Sequence, residues 1–144
     1  SLEIRLAGSL VGKTLSYIIP EGYTLEKPKN QAPGFEQCMR QAESRNEMGE
    51  CDDAAVTYYD GKLNEIFSSV KSACNSEDCK KDLLNAQRAW IKYRESTNNF
   101  LGEHIAIFNY TASIQTDFWL DELIKQYNLL KMVGEVLDEM PANQ

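Results

Sequence analysis

From Pro33 onward the hydrophobic residues recur at three- and four-residue steps, the spacing that lines one face of an α-helix. The clearest stripe is Tyr59, Leu63, Ile66, Phe67, Val70 and Cys74, inside a helix expected over 52–73 whose acidic start suits the positive end of the helix dipole. A short helix is expected before it, over 35–46, with Pro33 just ahead and Gly49 punctuating its end. Asn75 and Ser76 are candidate caps for a third helix reaching about Ile107, with Leu83, Gln87, Trp90, Arg94 and Thr97 on one side. A fourth, over 113–137, sets Phe118, Leu123, Tyr127, Leu130 and Leu137 on an inward arc. Helices joined by short turns pack as antiparallel neighbours, so the expected fold is all-α, a small up-and-down helical bundle.

Residues 1–34 lack this periodicity and carry Gly8, Gly12, Gly22, Gly34, Pro20, Pro28 and Pro33, which predicts an irregular N-terminal arm. Within it Leu15, Tyr17 and Ile19 suggest a short extended stretch, and the polar run from Glu26 to Gln31 reads as a linker. Ser1 to Ser9 have the look of tag residues and carry no weight. The expected organisation is therefore an arm over 1–34 and one helical domain over 35–144. A chain of 144 residues suffices for one such domain, since it buries about 68–70% of its unfolded surface.

Charge narrows the range of partners. Fifteen Lys and Arg stand against 22 Asp and Glu, a formal charge of −7 that opposes the counterion release driving nucleic-acid binding and favours a basic protein partner. No apolar run approaches the ~18 residues of a transmembrane segment, and none has the order of a signal peptide, so the chain reads as mature. Cys38, Cys51, Cys74 and Cys79 permit three disulfide connectivities, of which sequence neighbours favour Cys38–Cys51 and Cys74–Cys79. Each bridge closes a short loop, worth roughly 2–3 kcal/mol. The alternative is four free buried thiols in a reducing compartment.

No catalytic site can be read. Zinc ligation calls for closely paired thiolates or imidazoles, whereas His104 is the single histidine and the cysteines are spaced as bridges, so neither metal nor cofactor is expected. Gly12, Lys13 and Thr14 resemble the tail of a phosphate loop whose earlier glycine is replaced by Ala7. Trp90, Tyr93, Trp119 and Tyr127 sit at helical spacing and read as core before they read as stacking platforms. Asp60, Asn64, Gln87 and Arg94 are polar groups on or near the apolar stripes. Buried together, they predict a network that fixes helix register more readily than it binds a ligand, with Arg94 gripping Asp60 through a bidentate pair.

At these residues the chain resembles a known family. Asp60-Gly61-Lys62-Leu63-Asn64, followed by Leu84-Asn85-Ala86-Gln87-Arg88-Ala89-Trp90-Ile91-Lys92-Tyr93-Arg94, is similar to the signature of the LprI-like lysozyme inhibitors, which are exported bacterial proteins. Cys38 and Cys51 resemble that family's first cysteine pair. The resemblance covers about Phe35 to Asn99. In place of the family's cysteine after the Tyr-Arg pair stand Glu95, Ser96, Thr97 and Asn98, and Cys74 and Cys79 take over the second bridge. The resemblance implies a periplasmic or secreted helical protein, or one membrane-anchored ahead of Ser1, that uses no cofactor and binds a basic lysozyme-like muramidase to block its cleft. If the signature residues are buried, the interface falls to exposed acids such as Glu47, Glu50, Asp52 and Asp53. Two other functions compete: a helical adaptor or immunity-type module of the bacterial envelope, and a glycan-processing enzyme, which needs an open cleft with two convergent carboxylates. The oligomeric state is not fixed by the sequence.

Overall fold

A computed structural model describes residues 27–106 and 113–141. The extended stretch expected around Tyr17, the phosphate-loop fragment and Ser1 to Ser9 lie outside them. The described residues form four helices and no strand: α1 (Phe35–Gln41), α2 (Arg45–Ala73), α3 (Glu77–Phe100) and α4 (Ser113–Glu139), with one π-helical turn, Leu101–Ile105, continuing α3. Two disulfides, Cys38–Cys51 and Cys74–Cys79, join cysteines whose Cα atoms lie 5.8 and 5.5 Å apart, the normal bridging range. The all-α bundle stapled by disulfides is the fold expected from the sequence.

Helix boundaries follow local chemistry. α1 stops at Gln41, short of the expected 46, and α2 begins seven residues before the expected 52. The cause is a pair of capping bonds: the Ser44 hydroxyl accepts from the Glu47 N–H at 3.1 Å, and the Glu47 carboxylate reaches back past the cap to accept from the Glu43 N–H. Gly49, read as a terminator, lies inside α2 with open space about it. Ser76 caps α3 in the same way, accepting from the Cys79 N–H at 3.1 Å. Gly34 precedes α1 at φ 75°, a left-handed conformation that a side chain would strain.

The core lies between α2 and α4. From α2 it takes Ala55, Tyr59, Leu63 and Val70, and from α4 Leu120, Leu123, Ile124 and Leu130. The predicted stripe of α2 is thus the buried one, with Ile66 and Phe67 packed at its edge. Tyr59 meets Tyr127 edge-on at 6.0 Å, and a Cβ on Gly134 would touch Val70 at 3.4 Å, so the two helices run parallel in close register. α3 returns antiparallel to α4, Gln87 pairing with Gln126 at 2.9 Å and Asn98 with Gln115 at 3.0 Å. It packs far less extensively on α4 than α2 does. The described end of the arm, 27–34, has no regular structure and lies across α2, where the Gln31 N–H donates to the Tyr59 hydroxyl at 2.7 Å and Ala32 is buried.

Candidate functional site

Two polar regions stand out, and the family-like signature occupies the first. On α3, Gln87, Trp90 and Arg94 recur at three- and four-residue steps and so face α4. Arg94 is the only buried charged residue among those described, at 9% exposure. Its guanidinium lies between two indoles, 4.4 Å from the Trp90 ring centre and 3.8 Å from that of Trp119 on α4. Nε and Nη1 have no hydrogen-bond partner, so the two electron-rich ring faces, with the carboxylates of Asp60 and Glu95 beyond ion-pair distance, balance the buried charge. Burial pulls the guanidinium pKa down, and Asp60 and Glu95 act against that pull. An arginine nonetheless remains charged in a folded protein.

The expected bidentate pair between Arg94 and Asp60 does not form. Asp60 is exposed, and among the described residues no ion pair joins the two. Asp60 immediately follows the inward Tyr59, and one residue turns it about 100° away from the core line. Asn64 is likewise exposed, one residue past Leu63. The polar set therefore divides: Gln87 and Arg94 are held against α4, while Asp60 and Asn64 face solvent. Tyr93, read as core, is 49% exposed, with its hydroxyl 3.5 Å from Glu122 and its ring edge-on to Phe118. Burial, then the Glu122 carboxylate, raise its phenol pKa.

The second region is acidic and lies at the end of the bundle where α2 and α4 both begin. Between Glu43 and Asp53 five carboxylates stand against one arginine, Arg45. Glu47 and Glu50 line an open cleft of about 490 Å³ between α1 and α2, floored by Cys38 and Cys51. The parallel α4 adds Asp117 and Asp121. Burial, followed by repulsion from Asp117 and Asp53, pushes the Asp52 carboxyl above the usual carboxylate range, with Lys27 opposing. Burial raises Asp121 as well, although Lys27 lies 3.8 Å away and pulls it back. Two carboxylates share this cleft, as a glycan-processing enzyme would need, but Glu47 is already engaged in capping α2. Sequence reasoning picked out Glu47, Glu50, Asp52 and Asp53 and missed Asp117 and Asp121. Their four-residue spacing puts them on one side of α4, but nothing local says which helix that side meets.

No group of three or more His, Cys, Asp or Glu side chains among the described residues is arranged to hold a metal ion. No helix among them is long and apolar enough to cross a membrane. The chain belongs to the LprI lysozyme inhibitor family, whose family model matches residues 37–128. That match runs beyond Asn99, through the π-helical turn and into α4, so it includes Trp119 as well as Trp90 and Arg94. No curated protein and no solved structure matches the chain.

Proposed function

We propose that this chain is an exported, non-catalytic inhibitor that binds a lysozyme-like muramidase and obstructs its substrate cleft through the acidic end of the bundle. The observation that carries the reading is the family match over residues 37–128. Two features support it. Lysozymes are generally basic, and a protein of charge −7 with carboxylates gathered at one end attracts such a partner over several ångströms. The disulfides suit an oxidising compartment, the periplasm or the extracellular space. In this reading Glu50, Asp53 and Asp117 meet the enzyme, while Arg94 and its two indoles hold α3 in place behind them.

Lysis of cell-wall substrate by a panel of lysozymes, with and without the protein, tests the function. Inhibition at micromolar concentration is expected, and the triple variant Glu50→Gln, Asp53→Asn, Asp117→Asn should weaken it at least tenfold, mostly through slower association at low salt. Full inhibition by that variant would move the interface elsewhere, and no inhibition or binding by the native protein would remove the proposal. One observation favours the second reading, an interaction module of the envelope: Leu129, Met132 and Val136 form an outward apolar line on α4 that the core does not use.

A further inference from the structure

α1 is too slight to hold itself. It has seven residues, none of them buried, and no side chain caps its N-terminus, whereas Ser44 and Ser76 cap α2 and α3. A helix this short is unstable alone in water. It is attached through Phe35, which packs against the core, and through the Cys38–Cys51 bridge to α2. That bridge stands between two hollows. On one side is the open cleft of about 490 Å³ that Glu47 and Glu50 line, and on the other a hollow of about 230 Å³ walled by Pro33, Phe35, Ala54 and Tyr58. Both cysteines line each of them. Cys51 is 2% exposed but Cys38 only half-buried, so Cys38 is the partner an incoming reagent reaches first.

The other bridge is placed differently. Cys74 closes the end of α2, its N–H donating to the Val70 and Lys71 carbonyls, and Cys79 lies in the first turn of α3, its N–H donating to the Ser76 hydroxyl. Both helices pack on α4, so these cysteines stay close with or without their bond. Cys38 is fixed near Cys51 only while α1 stays folded. A disulfide resists reduction in proportion to how closely its thiols are held once reduced, which makes Cys38–Cys51 the easier bond to open. We propose that Cys38–Cys51 is a thiol–disulfide exchange site for an uncharged dithiol, and that its opening releases α1 while the rest of the bundle stays folded. One thiol of the reagent, as its thiolate, attacks the Cys38 sulfur; the S–S bond breaks, and Cys51 leaves with the electron pair and takes up a proton. The second thiol then displaces Cys38 from the mixed disulfide. Two electrons and two protons pass to the protein, and the reagent is left as a disulfide. Glu47 and Glu50 in the cleft repel an anionic thiol, which is why the fitting reagent is uncharged. α1 walls the cleft beside these two acids, so its release reshapes the acidic end. Any effect on inhibition rests on the function proposed above, whereas the release itself does not.

The test is a titration of the oxidised full chain with reduced and oxidised dithiothreitol, free thiols being alkylated and located by mass spectrometry. Cys38 and Cys51 should open at a ratio of reduced to oxidised reagent at least about fivefold lower than Cys74 and Cys79 need. With that bond open, the amides of Cys38 and Ala42, bonded in the oxidised protein to the Gly34 and Cys38 carbonyls, should exchange with deuterium at least about tenfold faster, while those of α2 and α4 keep their rates. Helical circular dichroism should fall by no more than the seven residues of α1. The double variant Cys38→Ser, Cys51→Ser should show the same exchange pattern without reductant, and Cys74→Ser, Cys79→Ser should leave α1 protected. Glutathione should attack the bridge several-fold more slowly than uncharged 2-mercaptoethanol at matched thiolate concentration, with the gap closing at high salt. Simultaneous opening of both bridges, earlier opening of Cys74–Cys79, or an α1 still protected after reduction overturns the proposal. So does collapse of α2 and α4 in the first double variant, or attack indifferent to the charge of the thiol. Lysozyme takes no part in these measurements, so the failure of either proposal is seen on its own.

Discussion

α4 meets its two neighbours through opposite chemistry. Toward α2 its seam is dry: Leu123 and Ile124 are 0 and 1% exposed, and Val70, farther along the α2 side, is 1% exposed. Toward α3 the seam is polar and aromatic, built from Gln87 with Gln126, Asn98 with Gln115, and Arg94 between Trp90 and Trp119. The dry seam supplies stability by removing apolar area from water. The polar seam adds little net free energy for each contact made, but its contacts are directional and fix where α3 lies along α4. The family-like residues of α3 sit in the seam that sets position, which accounts for a recognisable pattern on the helix that contributes least to the core.

The sharpest way to break this contrast is a cavity on each side. Leu123→Ala should destabilise the protein by about 3–4 kcal/mol, the range for a fully buried leucine in surroundings that cannot collapse. Arg94→Ala should cost about 2 kcal/mol, because it empties the space between two indoles. Arg94→Leu should cost under about 1 kcal/mol, since it keeps much of the packing and removes a buried charge that has no carboxylate partner. Urea denaturation of all three variants checks the order. If Arg94→Leu proved as damaging as Leu123→Ala, charge rather than shape would hold the α3 seam together.

The sequence announces the dry seam because one-sided burial imposes a 3.6-residue period, and on α2 Tyr59, Leu63 and Val70 follow it without exception. The start of α2 is equally marked by Ser44-x-x-Glu47, and Gly49 is a poor stop signal, since a glycine within a long helix costs only about 1 kcal/mol. The α3 seam was half legible. Polar residues at helical spacing mark Gln87 and Arg94 as inward, yet formal charge suggested Asp60 as the arginine's partner, whereas a flat guanidinium stacks equally well on rings. That Trp119 would supply one of those rings, and that Asp117 would lie by Asp52, depends on which faces of distant helices meet. Local periodicity does not encode that.

A smaller effect of opposite sign probes how closely the dry seam is fitted. Gly134 lies inside α4 against Val70, where a Cβ would come to 3.4 Å, an ordinary contact. Gly134→Ala should therefore stabilise by about 0.5–1 kcal/mol through reduced chain entropy in the unfolded state, read as a rise in the thermal midpoint. A destabilised variant would show that α2 and α4 are too close to admit even one methyl group.

The smallest effect concerns the point where the dry seam runs out into carboxylates. Burial, helped by repulsion from Asp117, raises Asp52 and Asp121 in the folded protein above their ordinary range, so the folded state holds their protons more tightly than the unfolded chain does. Their contribution is fully present below the unfolded carboxylate pKa and is lost as pH rises through the raised folded values. Acidification from neutral pH down through that window should thus favour folding at these two sites, even as other carboxylates begin to oppose it. Both groups are only partly buried, and the water that still reaches them keeps the gain under about 0.5 kcal/mol. Asp52→Asn with Asp121→Asn should remove this component, raising the thermal midpoint slightly at pH 7 and leaving it unchanged near pH 3. An equal shift at both pH values would mean that packing, and not the crowding of charge where α2 and α4 begin, sets the energetics of that end.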